Sequence, residues 1–315
     1  SCSPLTEFDL IEKYFARLTP AGRGVALGVG DDAALLAVAP GSELVVTTDT
    51  LVAGVHYFAD ADPAAVGYKA LAVNLSDLAA MGAVPRWFTL ALTLSATELT
   101  PVWLDGFSAG LAQLAREHGI ALVGGDLCQG PPAITIGALG ECPQGQARRR
   151  AGARAGDLIY VSGPLGSAAW ALAQLKADLN PDPACLARLL RPAPRVALGC
   201  SLRSIASAMI DVSDGLLADL GHLLNASHVG ARLDIDTIPY HASLDHDPAQ
   251  KWRHVLSGGD DYELCFTVPP DRQEQLASID DPVCRIGEIT PDKGLSCVRN
   301  NGTEYVPDRT GYVHF

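Results

Sequence analysis

Acidic residues recur beside glycine or a hydroxyl residue where strands should end or helices begin, and this repetition constrains the chain more than any other feature. It occurs in Gly28-Val29-Gly30-Asp31-Asp32-Ala33, Thr47-Thr48-Asp49, Asn74-Leu75-Ser76-Asp77, Gly124-Gly125-Asp126 and Asp211-Val212-Ser213-Asp214-Gly215. Any one instance fits an ordinary role: aspartate before a helix caps it, Asp-Gly makes a turn, and a single aspartate on a helix is usually solvated. The set is harder to explain that way. Asp77 lies amid Ala70, Leu71, Leu75, Leu78 and Met81, and Asp49 ends a run expected to be buried. Buried carboxylates need partners or metals. Carboxylate and hydroxyl oxygens are hard ligands suited to Mg²⁺, which holds phosphates through one or two carboxylates and waters.

Local patterning places these acids on elements. Phe8, Ile11, Phe15 and Leu18 form the stripe of an amphipathic helix over Glu7 to Leu18. The β-branched run Glu43 to Thr50 reads as a strand with Asp49 at its end. Asp62-Pro63 is a helix start and Gly82 its stop, which sets Asn74 and Asp77 on one helical face. Trp87 to Leu94 and Ala121 to Val123 read as strands around a helix from Thr100-Pro101 to Gly119, and Ala133 to Cys142 as another strand. Between Pro143 and Gly156 the chain turns to Pro, Gly, Gln and Arg, including Arg148-Arg149-Arg150, which predicts a boundary between a domain at 1–145 and another at 146–315. Beyond it, Asp157 to Ser162, Met209 to Val212 and Tyr262 to Val268 read as strands, and Leu165 to Ala177 and Gly215 to Asn225 as helices. The expected class is α/β.

Composition narrows the function. A length of 315 residues suits two domains, and 48% hydrophobic against 19% charged residues belongs to ordered globular chains. A formal net charge of −13 leaves no broad basic surface for a nucleic acid, and an acidic protein that binds phosphates needs cations to neutralise them. The eight cysteines form no Cys-x-x-Cys pair or regular framework and read as reduced. No basic region with a following apolar run opens the sequence, and no stretch is long and apolar enough to span a membrane, so the expected location is the cytoplasm, without a membrane partner. The run 28–33 also fits Gly-x-Gly-x-x-Ala, but Asp31 and Asp32 stand where a dinucleotide pyrophosphate would sit, and they would repel it. Gly-Lys-Ser/Thr and His-Glu-x-x-His are both absent.

Five segments then carry a family likeness: Gly30-Asp31-Asp32-Ala33, the run from Thr48 to His56, the run from Tyr68 to Ala83, the run from Asp211 to Leu216, and the run from Ser257 to Leu264. Together they resemble the bacterial thiamine-monophosphate kinase family across nearly the whole chain. The resemblance implies the two-domain α/β fold of the aminoimidazole ribonucleotide synthetase superfamily, with an N-terminal domain that binds metal and ATP and whose sheet forms a homodimer, and a C-terminal α/β domain. It implies a magnesium set of Asp31, Thr47, Thr48, Asp49, Asp77, Asp126, Asp211 and Asp214, holding several ions. Gly125, Asp126, Arg150 and Ser213 would hold ATP, and His56, Asp260 and Tyr312 would contact thiamine monophosphate. Asp260 stands where the resemblance implies glutamate, and Leu127-Cys128-Gln129 replaces a hydroxyl-rich run.

The implied reaction passes the γ-phosphoryl group of ATP in line to the phosphate of thiamine monophosphate, giving thiamine diphosphate. That acceptor oxygen is already anionic at neutral pH, so no general base is required, and catalysis rests on positioning and charge neutralisation. Another ATP-dependent enzyme of the same superfamily, a metal-dependent phosphohydrolase and a non-catalytic metal-binding module are the alternatives.

Overall fold

Thr6 caps the first helix, α1 (Glu7–Tyr14), by accepting from the backbone N–H of Asp9, whose carboxylate accepts the Thr6 N–H in return. The structure, a computed structural model, describes residues 6–18, 24–308 and 311. It divides into two compact units: one runs to Leu78 and resumes over Ala83–Gly145, the other takes Ala79–Gly82 and the chain from Gln146 onward. Among the described residues, no helix is long and apolar enough to cross a membrane.

In the first unit a short antiparallel ribbon, β1 (Val25–Leu27) with β2 (Leu35–Leu36), precedes the long strand β3 (Ser42–Val52). Helix α2 (Pro63–Ala80), β4 (Val84–Leu94), α3 (Pro101–His118), β5 (Ala121–Gln129) and β6 (Ala133–Pro143) follow. The sheet order is β3-β6-β4-β5, with β4 and β5 parallel and the other pairs antiparallel. Alternation gives the sheet two unlike faces. Leu90, Leu92 and Leu94 are buried while Thr89 and Ala91 are exposed; on β3, Leu44, Val46, Thr48 and Thr50 are the exposed set.

Helices α2 and α3 pack so closely that only glycine fits at the crossing. A Cβ on Gly110 would lie 1.8 Å from the Ala64 carbonyl oxygen, and one on Gly67 would lie 2.2 Å from that of Phe107. Thr100 caps α3 and Gly119 closes it in the left-handed conformation, as their residue types require. One expectation fails here. The run from Ala121 does not stop at Val123 but continues as β5 to Gln129, through the glycines. Parallel pairing with β4, which sets Leu90 opposite Gly125 and Ala91 opposite Asp126, outweighs the weak strand preference of Gly-Gly.

The second unit contains β7 (Leu158–Val161), α4 (Ser167–Lys176), α5 (Pro183–Leu190), α6 (Val196–Leu202), β8 (Ala208–Val212), α7 (Leu216–Ser227) and β9 (Gly230–Asp234). It continues through α8 (Lys251–Ser257), β10 (Glu263–Val268), β11 (Cys284–Thr290), β12 (Gly294–Val298) and β13 (Glu304–Tyr305). Its seven strands run in the order β13-β12-β9-β11-β7-β10-β8, parallel between β12 and β9 and antiparallel elsewhere. Strands β7, β8 and β10 are buried along their whole length, and their side chains join Leu216 and Leu220 of α7 and Val255 and Leu256 of α8 in one core. The α/β class is borne out, with more strands in this unit than periodicity shows.

Candidate functional site

In the first unit, Thr47 is the link between sheet and helix. Its Oγ1 donates to Asp77 Oδ2 at 2.6 Å, tying the middle of β3 to α2. Asp49 lies two residues on, inside β3 and not at its end, on the same partly covered face as Thr47. Thr48 falls between them, so its side chain turns to the opposite, exposed face. Asn74 is fully buried and its amide nitrogen donates to its own helix, to the Ala70 carbonyl at 3.0 Å. Asp77 is therefore the member of that pair that reaches the sheet.

A second group forms at the other edge of the sheet. Asp31, Asp32, Gly125 and Asp126 line a 420 Å³ cavity that α1 borders with Glu7, Phe8 and Ile11. Gly125 is obligatory, because a Cβ there would sit 1.9 Å from the Leu90 carbonyl oxygen. Asp126 accepts from the Cys128 thiol at 2.9 Å, and that hydrogen bond, with the carboxylate charge, holds the thiol pKa above its usual value. Asp49 and Gly125 pair with Ile136 and Leu90, which pair with each other, so they share one row across four strands. Three strand spacings put them about 14 Å apart along the sheet. The unit thus holds two acidic groups rather than one.

His56 lies in the turn after β3, where Nδ1 accepts from the Val52 N–H at 3.0 Å. That bond leaves the ring proton on Nε2.

In the second unit the acids gather where β8 ends. Asp211 is buried opposite Leu264, and Ser213 and Asp214 follow in the turn into α7. The segment before β10 is stitched to this turn: Asp260 N–H donates to the Ser213 carbonyl at 2.7 Å and Tyr262 N–H to that of Val212 at 2.8 Å. Asp260 and Tyr262 hold left-handed φ angles of 63° and 52°. Two such residues flanking a buried acid mark strain of a kind usually kept at functional sites. Asp261, between them, accepts from the Gly166 N–H at 2.8 Å, and burial pushes its carboxyl well above the usual carboxylate range.

Two sets of residues here escape sequence reasoning. Asp219, in the first turn of α7, accepts from the N–H groups of Ser213, Asp214 and Gly215 at 2.9, 2.9 and 3.2 Å. It holds the acidic turn in shape, and burial lifts its pKa to about 6 against the pull of those donors. Glu263, wholly buried, accepts from Arg195 through two bonds of 2.8 Å and pairs with Arg188 and Ser162. The spacing Ser213-Asp214-Gly215 with Asp219 on the following helix was a legible signal for the first. Nothing local marks the second, whose members lie 68 and 75 residues apart.

Arg150 is placed away from this cluster. Its side chain is exposed, and its carbonyl accepts from Ser227 Oγ at 2.8 Å, at the end of α7 remote from Ser213 and Asp214. The length of α7, 12 residues, corresponds to about 18 Å. Tyr312 lies outside the described residues.

Comparison with known proteins settles the family. Residues 30–142 match the AIR synthase related protein N-terminal domain, and residues 154–300 match the C-terminal domain. The chain is 45% identical to thiamine-monophosphate kinase of Escherichia coli K12 over 320 residues, covering 98% of both. The Salmonella typhimurium enzyme is 47% identical over 321 residues with the same coverage. The chain belongs to the thiamine-monophosphate kinase family. A crystal structure of the family from Stenotrophomonas maltophilia superposes with a TM-score of 0.84 at 44% identity, covering 93% of this chain and 96% of that one. AaThiL, complexed with AMPPCP and TMP, superposes with a TM-score of 0.79 at 29% identity over the whole of both chains.

Proposed function

We propose that the protein phosphorylates thiamine monophosphate at the expense of ATP, forming thiamine diphosphate. Family membership over nearly the full length carries the reading, and AaThiL, a relative bound to AMPPCP and TMP, supports this pair of ligands.

The donor set fits magnesium. Apart from the Cys128 thiol beside Asp126, every candidate ligand offers hard carboxylate or hydroxyl oxygen, and several are half-buried where a lone carboxylate would be costly. Asp31, Asp49, Asp77, Asp126, Asp211 and Asp214 would hold several Mg²⁺ ions, with Thr47 positioning Asp77. Thr48 points to the other face of β3, so its share would run through its main chain. Bound Mg²⁺ supplies charge neutralisation between the two phosphate-bearing substrates.

The protein's own groups do the rest. Gly125, which keeps β5 close against β4, would contact ATP together with Asp126 and Ser213, whereas Arg150, at the far end of α7 from Ser213, is left out of that set. His56, with its proton on Nε2, donates to the acceptor phosphate. The thiazolium cation suits a negative or aromatic partner, the chemistry that Asp260 and Tyr312 would supply. Asp219 keeps the 213–215 turn in place. The N-terminal domain carries most of the metal and nucleotide contacts and the proposed homodimer surface.

Incubation with ATP, Mg²⁺ and thiamine monophosphate should give ADP and thiamine diphosphate in equal amounts, and none of the diphosphate from thiamine or without an acceptor. ADP formed equally without thiamine monophosphate would show a phosphohydrolase, and turnover only with a different acceptor would move the protein to another branch of the superfamily.

A further inference from the structure

Outside the acidic groups, the second unit brings together three side chains of different donor type. Asp182 precedes α5 and caps it, its Oδ1 accepting from the Ala184 N–H at 2.8 Å. Cys185 stands three residues on, so the same helical turn presents both. His241 comes from the segment before Ala242–His246, 56 residues later, and its Nε2 lies 3.8 Å from Asp182 Oδ1. One donor atom from each residue lies within 4.8 Å of the other two.

We propose that Asp182, Cys185 and His241 form a binding site for a borderline d-block cation of the zinc type. The donor set of one carboxylate oxygen, one sulfur and one imidazole nitrogen is unsuited to Mg²⁺, which takes oxygen, and well suited to Zn²⁺. Zinc–ligand bonds of about 2.0–2.3 Å at tetrahedral angles set donors about 3.3–3.8 Å apart. The 3.8 Å between His241 and Asp182 is a few tenths of an ångström above the ~3.3–3.6 Å that a nitrogen and an oxygen donor need, and small side-chain rotations close that gap and bring in the thiol.

The surroundings are those of a supported site. His241 Nδ1 accepts from the Ser243 N–H at 3.2 Å and lies 2.9 Å from Ser243 Oγ, so a cation at Nε2 shifts the ring proton to Nδ1, where Oγ accepts it in place of that N–H bond. Such a bond orients the ring and raises its basicity. The same hydroxyl lies 3.3 Å from Cys185 Sγ, so one serine supports two ligands. Cys185 is fully buried, whereas the side chains of Asp182 and His241 are 35% and 37% exposed. The cation therefore enters from the Asp–His side, and the fourth position faces solvent, as in sites with three protein ligands and a water. A surface ion pair would account for the aspartate and histidine but not for a thiol and a shared serine behind them.

Co²⁺ titration of the full-length protein tests this, because a bound thiolate gives a near-ultraviolet charge-transfer band that oxygen ligands cannot. Cys128→Ser serves as the parent, since the exposed Cys128 sits beside Asp126. The parent should show a saturable band at one equivalent, reversed by Zn²⁺ and untouched by excess Mg²⁺. Adding Cys185→Ser should abolish it; adding His241→Gln or Asp182→Asn should weaken binding by about tenfold or more. His241→Gln changes a partly exposed side chain and Asn still caps a helix, so both variants keep the fold, checked by circular dichroism. Absence of a saturable band in the parent, or a band that survives His241→Gln with affinity unchanged, overturns the proposal.

Discussion

At the scale of single residues, the most exposed to testing is Glu263. Its carboxylate is fully buried and serves two arginines and a serine, so removing its charge strands Arg188 and Arg195, each only about a quarter exposed. Breaking a buried ion pair by neutralising one partner typically costs about 3–5 kcal/mol. Glu263→Gln should therefore lower stability by about 3 kcal/mol in urea unfolding, and an unchanged midpoint would show that the arginines find other partners. Asp77 belongs to the proposed chemistry rather than to stability. Asp77→Asn keeps an oxygen for Thr47, so the melting temperature should hold while turnover in Mg²⁺ falls at least about a hundredfold; turnover within a few-fold of wild type would remove Asp77 from the metal set.

Among elements, the α2–α3 pair depends on backbones touching. Gly110→Ala forces a methyl against the Ala64 carbonyl, and overpacking of this kind costs about 1–3 kcal/mol or more despite the better helix propensity of alanine. Thermal unfolding of Gly110→Ala should show a clear loss; a gain would mean that the helices separate freely. The end of α3 adds a pH dependence. Burial lowers the pKa of His118 below its usual 6.5, so the unfolded chain binds that proton more readily than the native one. The stabilising contribution is full above about pH 6.5 and is lost as pH falls towards the lowered native value. His118→Gln should flatten the decline of melting temperature between about pH 7 and 5, and equal slopes in the two proteins would refute the assignment.

For the molecule as a whole, the exposed face of the first sheet carries Leu44 at 42% and Val46 at 60% exposure, on β3, which among the described residues is an edge strand. This exposed apolar pair supports the proposed homodimer, and Val46→Glu should convert a dimer to a monomer in sedimentation velocity. A monomeric wild type would instead leave the face without a partner copy. Chelation of divalent ions should stop turnover without unfolding either unit, since each has a hydrophobic core of its own, and added Mg²⁺ should restore it.

The sequence by itself determined the α/β class, the starts of α2 and α3, the family, and the identity of the acids, because helix-start signals, periodicities and short motifs are local and residue types state them directly. It could not show that Thr47 answers Asp77, that β5 runs on through Gly124-Gly125, or that Thr48 faces away from Thr47 and Asp49. These follow from strand pairing and from packing across 30 or more residues. It was equally silent on Glu263 with its two arginines and on the meeting of Asp182, Cys185 and His241. Those groups are neighbours only after the second unit has folded, when burial makes each unpaired charge costly and so selects which distant side chain must stand beside it.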